Sequence, residues 1–549
     1  MIMIKKLLIL VLFTSFSIDA QDIIWEKSYG GKHADYLFDA QPTADYGFIL
    51  AGSSLSNKSG NKTQDNHGDL DYWVWKMNEK GDLDWQKSLG GSGFDLLQSI
   101  KNTKDGGFIL SGTSNSTNNF QKKDTCKGVT DFWIVKLNAK GEEQWQKTIG
   151  GSGQDELITA FQTRDGGYIL GGSSSSNPSI KKNNSNEKSS LEVKPDLYGK
   201  SEKSRGNMDY WIVKLDKVGV VQWQKTYGGE YTDLLCSMEQ TKDGGYVLGG
   251  YSNSPQSGDK TDTNIGIGDY WIVKIDDKGT IEWQKTYGGN GDNELYVIHQ
   301  TDDGGYIAGG NSNSTNPLTA LGGMVSNGTD YWVLKMDDKG TIVWSETYDF
   351  GKVDILTSLI ENNDHTFLIG GYAQSENTNS LTKIVKRDKE GINDYVALKI
   401  NEKGEVLWSK TVGSSGEDIL RKLIETRDGG YLLTGTSNAK SSRDKNSAIG
   451  SNDFWVVKLK DKKKPVQEKA TVEAIPNPVI TFTNIIIGYD FKIGTATLID
   501  MGGRILQQFS ISNRTVPVDL SRYPNGVYVV NIKTNIQSDG VKVIKGGKN

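Results

Sequence analysis

The chain has 549 residues, including 65 glycines and 14 tryptophans, and its formal net charge is −5. Acidic and basic residues are interspersed, which excludes the basic patch of a nucleic-acid binder or of a protein that binds anionic membranes. No long segment repeats apolar residues every 3.6 positions, so we predict an all-β protein.

The first twenty residues have the pattern of a signal peptide. Lys5 and Lys6 precede an apolar run at residues 7–13, and Ala20 is a small residue suited to cleavage before Gln21. The run is too short to cross a bilayer, and no cysteine follows the cleavage point. We therefore predict an exported protein without a lipid anchor and without a membrane span after signal removal.

One stretch, DYWIVKIDDKGTIEWQKTYGG at residues 269–289, recurs along most of the chain. Apolar and polar residues alternate on both sides of its Asp-x-x-Gly turn, which predicts a β-hairpin. The tryptophan of the second strand recurs as Trp25, Trp85, Trp145, Trp223, Trp283, Trp344 and Trp408. The aspartate that opens the first strand recurs as Asp71, Asp131, Asp209, Asp269, Asp330, Asp394 and Asp453. Seven copies predict a repeat architecture.

Each repeat adds two more strands, one after the Gly-Gly loop and one after an Asp-Gly turn, which is a strong hairpin signal. Four strands in each of seven repeats predict a seven-bladed β-propeller, with the strand after the Gly-Gly loop innermost and the tryptophan strand outermost. The chain begins with a tryptophan strand at residues 23–28, and its last repeat stops at residues 453–459. We therefore predict that the N-terminal strand completes the seventh blade and closes the ring.

The composition divides the chain into a signal peptide at 1–20, the propeller at 21–460, a charged linker at 461–470 and a small C-terminal β-sandwich at 471–549. The charged linker predicts few contacts between the last two domains. Cys126 lies in a polar loop and Cys236 in an apolar strand, so two free thiols are favoured over a disulfide.

The segments AIPNPVITFTNI, LIDMGGRILQQF, VDLSRYPNGVYVVNIKT and VKVIKG follow one another near the C-terminus. In this order they resemble the C-terminal sorting domain of the type IX secretion system of Bacteroidota. In that family the domain directs passage across the outer membrane and is usually removed, and the cargo is released or attached to a surface glycolipid. The resemblance implies that the type IX secretion machinery is a partner and that the protein is secreted or lies on the outer cell surface.

The repeats resemble those of exported propeller proteins from the same bacteria and, more distantly, the quinoprotein repeat with its Gly-x-x-x-Trp spacing. Gly279 and Trp283 match that spacing, although the turn from aspartate to glycine is one residue shorter. In the sialidase Asp-box the tryptophan follows glycine by three residues, whereas here it follows by four.

An acidic or amide residue follows each Gly-Gly loop, just before the predicted innermost strand. These residues are Asp35, Asp95, Asp155, Asp233, Asn293, Asp354 and Asp418. One interpretation is a ring at the mouth of the central channel that binds a cation or polar ligand. The other, which we favour, is that each carboxylate caps backbone N–H groups of its own loop, because seven identical positions suit seven identical structural roles.

The sequence contains no motif for a catalytic site, and we predict no cofactor and no metal centre. His33, His67, His299 and His365 fall at unrelated repeat positions, which argues against a histidine metal site. The long polar loops between the second and third strands are expected on one face, together with the tyrosines beside the Gly-Gly turns. Those tyrosines are Tyr29, Tyr227, Tyr287 and Tyr348.

Three classes of function remain open. The first and favoured one is a non-catalytic binding or adhesion module for a glycan or protein, because the repeats are regular and no asymmetric catalytic group stands out. The second is an extracellular hydrolase or lyase on a propeller scaffold, and the third is a structural surface protein.

Overall fold

The computed structural model describes residues 21–178, 198–315, 318, 328–374, 393–462 and 470–546. The regular structure of these residues is entirely β, which confirms the predicted all-β class. Within the described ranges, no helix is long and apolar enough to cross a membrane.

The first twenty-eight strands form seven four-stranded sheets, numbered here 1 to 7 along the chain. Strand β1 (Gln21–Tyr29) begins the described chain. Sheet 1 contains β2 (Asp35–Pro42), β3 (Phe48–Ser54), β4 (Asp71–Met77) and β5 (Leu83–Leu89). Sheet 2 contains β6 (Asp95–Asn102), β7 (Phe108–Ser114), β8 (Asp131–Leu137) and β9 (Glu143–Ile149). Sheet 3 contains β10 (Asp155–Gln162), β11 (Tyr168–Ser174), β12 (Asp209–Leu215) and β13 (Val221–Tyr227).

The next three sheets repeat this order. Sheet 4 contains β14 (Asp233–Gln240), β15 (Tyr246–Ser252), β16 (Asp269–Ile275) and β17 (Ile281–Tyr287). Sheet 5 contains β18 (Asn293–Gln300), β19 (Tyr306–Ser312), β20 (Asp330–Met336) and β21 (Ile342–Tyr348). Sheet 6 contains β22 (Val353–Glu361), β23 (Phe367–Gln374), β24 (Asp394–Ile400) and β25 (Val406–Val412). The strands of each sheet are antiparallel neighbours in chain order, as the hairpin turns predict.

Sheet 7 takes its fourth strand from the other end of the chain. Its own strands are β26 (Asp418–Glu425), β27 (Tyr431–Ser437) and β28 (Asp453–Asp461), and β1 pairs antiparallel with β28. Ile23 lies opposite Leu459, and Tyr29 lies opposite Phe454. The predicted pairing of the N-terminal strand with the last repeat is thereby confirmed, and the free edge of β28 is covered.

Aromatic residues of the third strands join each sheet to the next. The ring centroids of Tyr72 and Trp133 are 4.5 Å apart, and the same kind of contact joins sheet 7 to sheet 1, where Phe454 and Trp73 are 4.7 Å apart. Both tryptophans are fully buried. Large aromatic side chains repeated in one register supply much of the apolar area buried between the sheets.

The contact between sheets 5 and 6 departs from this rule. Val396 stands where six other repeats have tryptophan, and Tyr331 packs instead against Phe350, with 5.2 Å between the ring centroids. Phe350 itself occupies a position that is glycine or serine in the other repeats, so it fills the space that the smaller Val396 leaves.

Two further sheets form the C-terminal domain. One contains β29 (Val472–Ile475), β30 (Phe482–Ile487) and β33 (Thr515–Asp519). The other contains β31 (Gly494–Asp500), β32 (Ile505–Ile511), β34 (Gly526–Thr534) and β35 (Ser538–Lys545). Both sheets contribute to one apolar core, for example through Ile485 and Val530, so the domain is a β-sandwich.

The C-terminal domain, for which the charged linker predicts few contacts with the seven sheets, makes several specific polar contacts with them. Arg514 Nη1 lies 2.8 Å from Glu79 Oε2, and Arg514 Nη2 donates a hydrogen bond to the Asp45 carbonyl at 2.8 Å. Arg427 and Glu473 form a second ion pair, with 2.6 Å between nitrogen and oxygen. The composition of the linker does not predict the contacts that residues of the C-terminal domain make with the sheets. Both cysteines are free thiols, as the sequence favoured.

Candidate functional site

The long loops and the turns between sheets share one side of the seven sheets. In each repeat, an isolated parallel bridge joins the residue before a third strand to the turn that leads into the next sheet. These bridges are Leu70–Phe94, Thr130–Gln154, Met208–Thr232, Gly268–Asp292, Thr329–Val353, Asn393–Glu417 and Asn452–Ala34. We call this side the loop face. Its loops are at 53–70, 113–130, 173–208, 251–268, 311–329, 372–393 and 436–452. Parts of three of them lie outside the described residues.

The opposite side, the hairpin face, consists of the Asp-Gly and Asp-x-x-Gly turns. The C-terminal domain contacts this side, because Asp45 and Glu79 both belong to such turns. A cleft of about 480 Å³ lies there, lined by Lys76 and Trp85 from sheet 1 and by Arg514 from the C-terminal domain. Removal of the sorting domain would abolish this cleft, so it is a poor candidate for the binding site of the mature protein.

The seven residues predicted as a channel-mouth ring are all buried. Asp95 is representative: its Oδ2 accepts hydrogen bonds from the Gly91 N–H at 2.7 Å and the Ser116 hydroxyl at 2.9 Å. Asn293 occupies the same position in sheet 5, and its Oδ1 accepts from the hydroxyls of Ser312 and Ser314. This is the geometry of a side chain that caps its own loop, and a ligand-binding ring of Asp35, Asp95, Asp155, Asp233, Asn293, Asp354 and Asp418 stays a prediction.

Each of these residues lies next to the aspartate that opens the third strand of the preceding sheet. Burial raises the pKa of Asp71 to about 6, and the negative charge of Asp95 adds to the rise. Between sheets 4 and 5 the second acid is replaced, and Asn293 Nδ2 donates to Asp269 Oδ1 at 3.2 Å. The amide supplies a donor where the other pairs bring two carboxylates together.

A buried lysine accompanies these acids in sheets 1 to 4 and in sheet 7. Lys62 Nζ donates to the Ser54 hydroxyl at 2.8 Å and to the Ser56 carbonyl at 2.6 Å, and its charge interacts with Asp35 and Asp71. Burial lowers the pKa of Lys62 to about 8. The equivalent residues are Lys122, Lys200, Lys260 and Lys445. The acids recur at regular positions, whereas these lysines lie in the variable long loops, so the sequence did not reveal them as partners.

The four tyrosines predicted as binding-face aromatics are buried, and this prediction is corrected. Tyr29, Tyr227, Tyr287 and Tyr348 are each 3–7% exposed. Their hydroxyls donate to the carbonyls of Gly81, Gly279, Gly340 and Gly404, which lie in the Asp-x-x-Gly or Asn-x-x-Gly turns of the following sheets. The tyrosines therefore join neighbouring sheets and have no exposed ring for a ligand.

The loop face carries an exposed aromatic pair that the sequence patterns did not predict. Phe120 is 63% exposed and stacks on His67 of the neighbouring loop, with 4.5 Å between ring centroids and 15° between ring planes. Phe120 has φ = 50°, the left-handed conformation that Gly60 and Gly258 adopt at the same place in their loops. When the repeats are aligned by their third-strand aspartates, two other repeats have glycine where Phe120 stands.

Charged residues from the first strands of different sheets come together. His299 Nδ1 lies 2.9 Å from a Glu239 oxygen, and its Nε2 lies 3.9 Å from Glu361. Burial lowers the pKa of His299, but Glu239 and Glu361 outweigh burial, so the net shift is upward. Lys422 of sheet 7 interacts electrostatically with Glu239 and also with Asp39 of sheet 1. Glu239 and His299 share one repeat position and Asp39 and Lys422 share another, but the sequence does not show which first strands approach one another.

Comparisons with known proteins identify the C-terminal domain. Residues 473–546 match the family model of the secretion system C-terminal sorting domain. This match indicates that the protein is exported and is secreted or attached to the outer cell surface. No curated protein matches the chain.

Several solved structures resemble the chain at low sequence identity. A fungal alcohol oxidase of the AA5 family in complex with copper is 11% identical, with a TM-score of 0.43, and the match covers 96% of this chain and all of that one. YCF48 bound to D1 peptide is 7% identical, with a TM-score of 0.38 and coverage of 81% and 95%. A putative gluconolactonase is 9% identical, with a TM-score of 0.31 and coverage of 81% and 94%. We draw no functional argument from these similarities.

Proposed function

We propose that the protein is an exported, closed seven-bladed β-propeller that binds a glycan or protein on its loop face without catalysis. Support for the closed ring comes from the contact of Phe454 with Trp73 and from the interactions of Lys422 with Asp39 and Glu239. A residue of the last sheet that interacts with both the first and the fourth sheet suits first strands arranged around a common axis.

The observation that carries the binding role is the division between the two faces. The loop face collects the segments that vary in length and sequence among otherwise uniform repeats, and a rigid scaffold usually carries its function in such segments. The sorting domain contacts the hairpin face, so the loop face is exposed both before and after that domain is removed.

Phe120 is a second observation in favour of a binding site on the loop face. A side chain other than glycine in the left-handed conformation costs about 1 kcal/mol. Phe120 has this strained conformation, and most of its side chain is exposed while its ring stacks on His67. A flat, exposed aromatic pair is suited to stack on a sugar ring or on an aromatic side chain.

A screen of the mature chain against glycan and extracellular-protein arrays tests this proposal. Any ligand found is then measured against three variants: deletion of residues 179–197, Phe120→Ala, and the control Val218→Ala. Val218 is 60% exposed on a hairpin turn, so its truncation should not change affinity. We expect Phe120→Ala or the loop deletion to weaken binding at least tenfold. Unchanged affinity in both, with a loss in Val218→Ala, would place the site on the hairpin face.

A hydrolase or lyase is the second candidate, and Glu239, His299 and Glu361 favour it because they bring two carboxylates and an imidazole together. Polysaccharide cleavage that is abolished by Glu239→Gln would establish this function in place of simple binding.

A further inference from the structure

Glu361, at the end of β22, stands where three other sheets have a glutamine that uses both ends of its amide. These glutamines are Gln162, Gln240 and Gln300. The amide oxygen accepts from a backbone N–H in the Asp-Gly turn of the preceding sheet, as Gln300 does from Lys242 at 2.6 Å. The amide nitrogen donates to the glycine carbonyl in the turn of its own sheet, as Gln300 does to Gly304 at 3.2 Å.

Glu361 makes the first of these contacts and cannot make the second. Its Oε2 accepts from the Asp302 N–H at 2.9 Å, so its Oε1 takes the place of the glutamine nitrogen. The Glu361 side chain is only 8% exposed, and its Oε1 makes no hydrogen bond among the residues that the structure describes. A largely buried carboxylate oxygen that replaces a donor is stabilised by a cation beside it.

The side chain that faces this oxygen is an imidazole. His365 has φ = 60° in the turn of sheet 6, where five other sheets have glycine in the same left-handed conformation. Its Nδ1 lies 3.6 Å from Glu361 Oε1 and 3.7 Å from Asp302 Oδ2. Both distances are too long for hydrogen bonds, and they are close to the roughly 3.4 Å between two ligands of a tetrahedral zinc ion. Sheet 7 also has a glutamate, Glu425, but its turn has Gly429 and supplies no imidazole.

A second histidine approaches the same carboxylate from sheet 5. His299 Nε2 lies 3.9 Å from Glu361 Oε2, which is again too long for a hydrogen bond. The other ring nitrogen, Nδ1, lies 2.9 Å from Glu239, and carboxylates commonly orient the rings of histidines around bound metals in this way. The chain has four histidines, and two of them flank Glu361. Nitrogen and oxygen donors from three sheets therefore meet at this point.

We propose that Asp302, Glu361 and His365 bind one divalent ion of the zinc type on the hairpin face. Ligand atoms of these three residues lie within 4.8 Å of one another. Imidazole and carboxylate together suit zinc, whereas calcium prefers oxygen ligands alone. Lys242 Nζ lies 3.4 Å from Asp302 Oδ1, which leaves Asp302 Oδ2 for the ion. The side chains of His365 and Asp302 are 58% and 64% exposed, so water can take the fourth position and the ion joins sheet 5 to sheet 6.

Zinc titration of the mature chain, without a polyhistidine tag and freed of metal with a chelator, tests this site. We expect one zinc ion per chain by calorimetry, and Co²⁺ in its place should give the visible absorption of a four-coordinate ion. His365→Gly and Glu361→Gln restore residues that other sheets have, so both variants should fold. Each should weaken zinc binding by about 100-fold or more, since loss of a contact outside the ligands already costs about 10- to 100-fold.

His33→Ala is the matched control, because His33 is an exposed histidine in a turn of the loop face. It should bind zinc with the affinity of the wild type. In urea unfolding, zinc should stabilise the wild type and His33→Ala but neither ligand variant. Zinc without effect on the wild type would make Glu361 and His365 an ordinary ion pair and overturn the proposal. Wild-type affinity in both ligand variants, or loss of binding in His33→Ala, would also overturn it.

Discussion

Replacing Asp95 with asparagine should stabilise the protein at pH 7. Asn293 shows how an amide fits this position: its Oδ1 keeps the serine contacts while its Nδ2 donates to the neighbouring aspartate. In the wild type, Asp71 Oδ1 has no hydrogen-bond partner among the described residues and lies near the charge of Asp95. Asp95→Asn would supply that donor and remove one of the two charges.

The magnitude follows from the pKa of Asp71, which rises from about 3.9 in an unfolded chain to about 6. Two pKa units correspond to ~3 kcal/mol at neutral pH, most of it from burial. The part due to Asp95 is therefore on the order of 1 kcal/mol. Three charged or titratable groups shift the pKa of Asp71: Asp95 raises it, whereas Lys62 and His67 lower it. Each of them shifts this pKa less than burial does.

The sign of the pH dependence is set by the raised pKa. A carboxyl group whose folded pKa exceeds its unfolded pKa stabilises the fold below about pH 4, and this contribution is lost as the pH rises through about 6. Asp71, Asp131 and Asp418 share a pKa of about 6, so stability should fall across this window. Asp95→Asn should make the fall shallower.

Urea unfolding at pH 4.5 and pH 7 measures this effect. Melting temperature is less sensitive, because unfolding of residues 21–461 carries so much entropy that each kcal/mol moves Tm by only about 1 °C. Asp277→Asn, on an exposed hairpin turn, is the control and should change neither value. A variant that is less stable than the wild type at pH 7, or that keeps the full pH dependence, would refute the reasoning.

Three other predictions concern the seam, the exposed aromatic and export. Deleting residues 21–29 should lower the melting temperature substantially, because it uncovers β28 and removes the hydrogen bond that the Trp455 indole N–H donates to Glu26. Melting like that of the intact chain would contradict closure by β1. Phe120→Gly should change the unfolding free energy by less than about 1 kcal/mol, since relief of the left-handed strain offsets the lost contact with His67; a larger loss in urea unfolding would make Phe120 a structural residue. Deleting residues 475–549 should trap a folded propeller in the periplasm of the native host, as fractionation would show, and normal secretion without them would contradict the sorting role.

The strands and their order could be predicted because they depend on local patterns. Alternating residues, Asp-Gly turns and Asp-x-x-Gly turns act within a single hairpin, and counting strands sufficed to match β1 with β28. The recurring glycine of the second strand also has a local cause: a Cβ at Gly112 would lie 2.0 Å from the Leu96 carbonyl oxygen.

The candidate site was harder to predict because its contacts join different sheets. Tyr29 was expected beside the loops, but its hydroxyl reaches Gly81 in the next sheet, and alternation along a strand does not reveal which neighbour a side chain meets. Asp71 and Asp95 were recognised separately as repeat positions, while their proximity depends on how sheets 1 and 2 pack. Phe120 did carry a signal, since Gly60 and Gly258 occupy the equivalent position.

Hydrogen–deuterium exchange of the mature chain with and without a ligand from the array screen tests the central claim most directly. We expect slower exchange in the loops at 113–130 and 251–268 and around Phe120, with the Asp-x-x-Gly turns at 216–219 and 276–279 unchanged. Protection confined to those turns, or to the first-strand residues around Glu239 and His299, would contradict a binding site on the loop face.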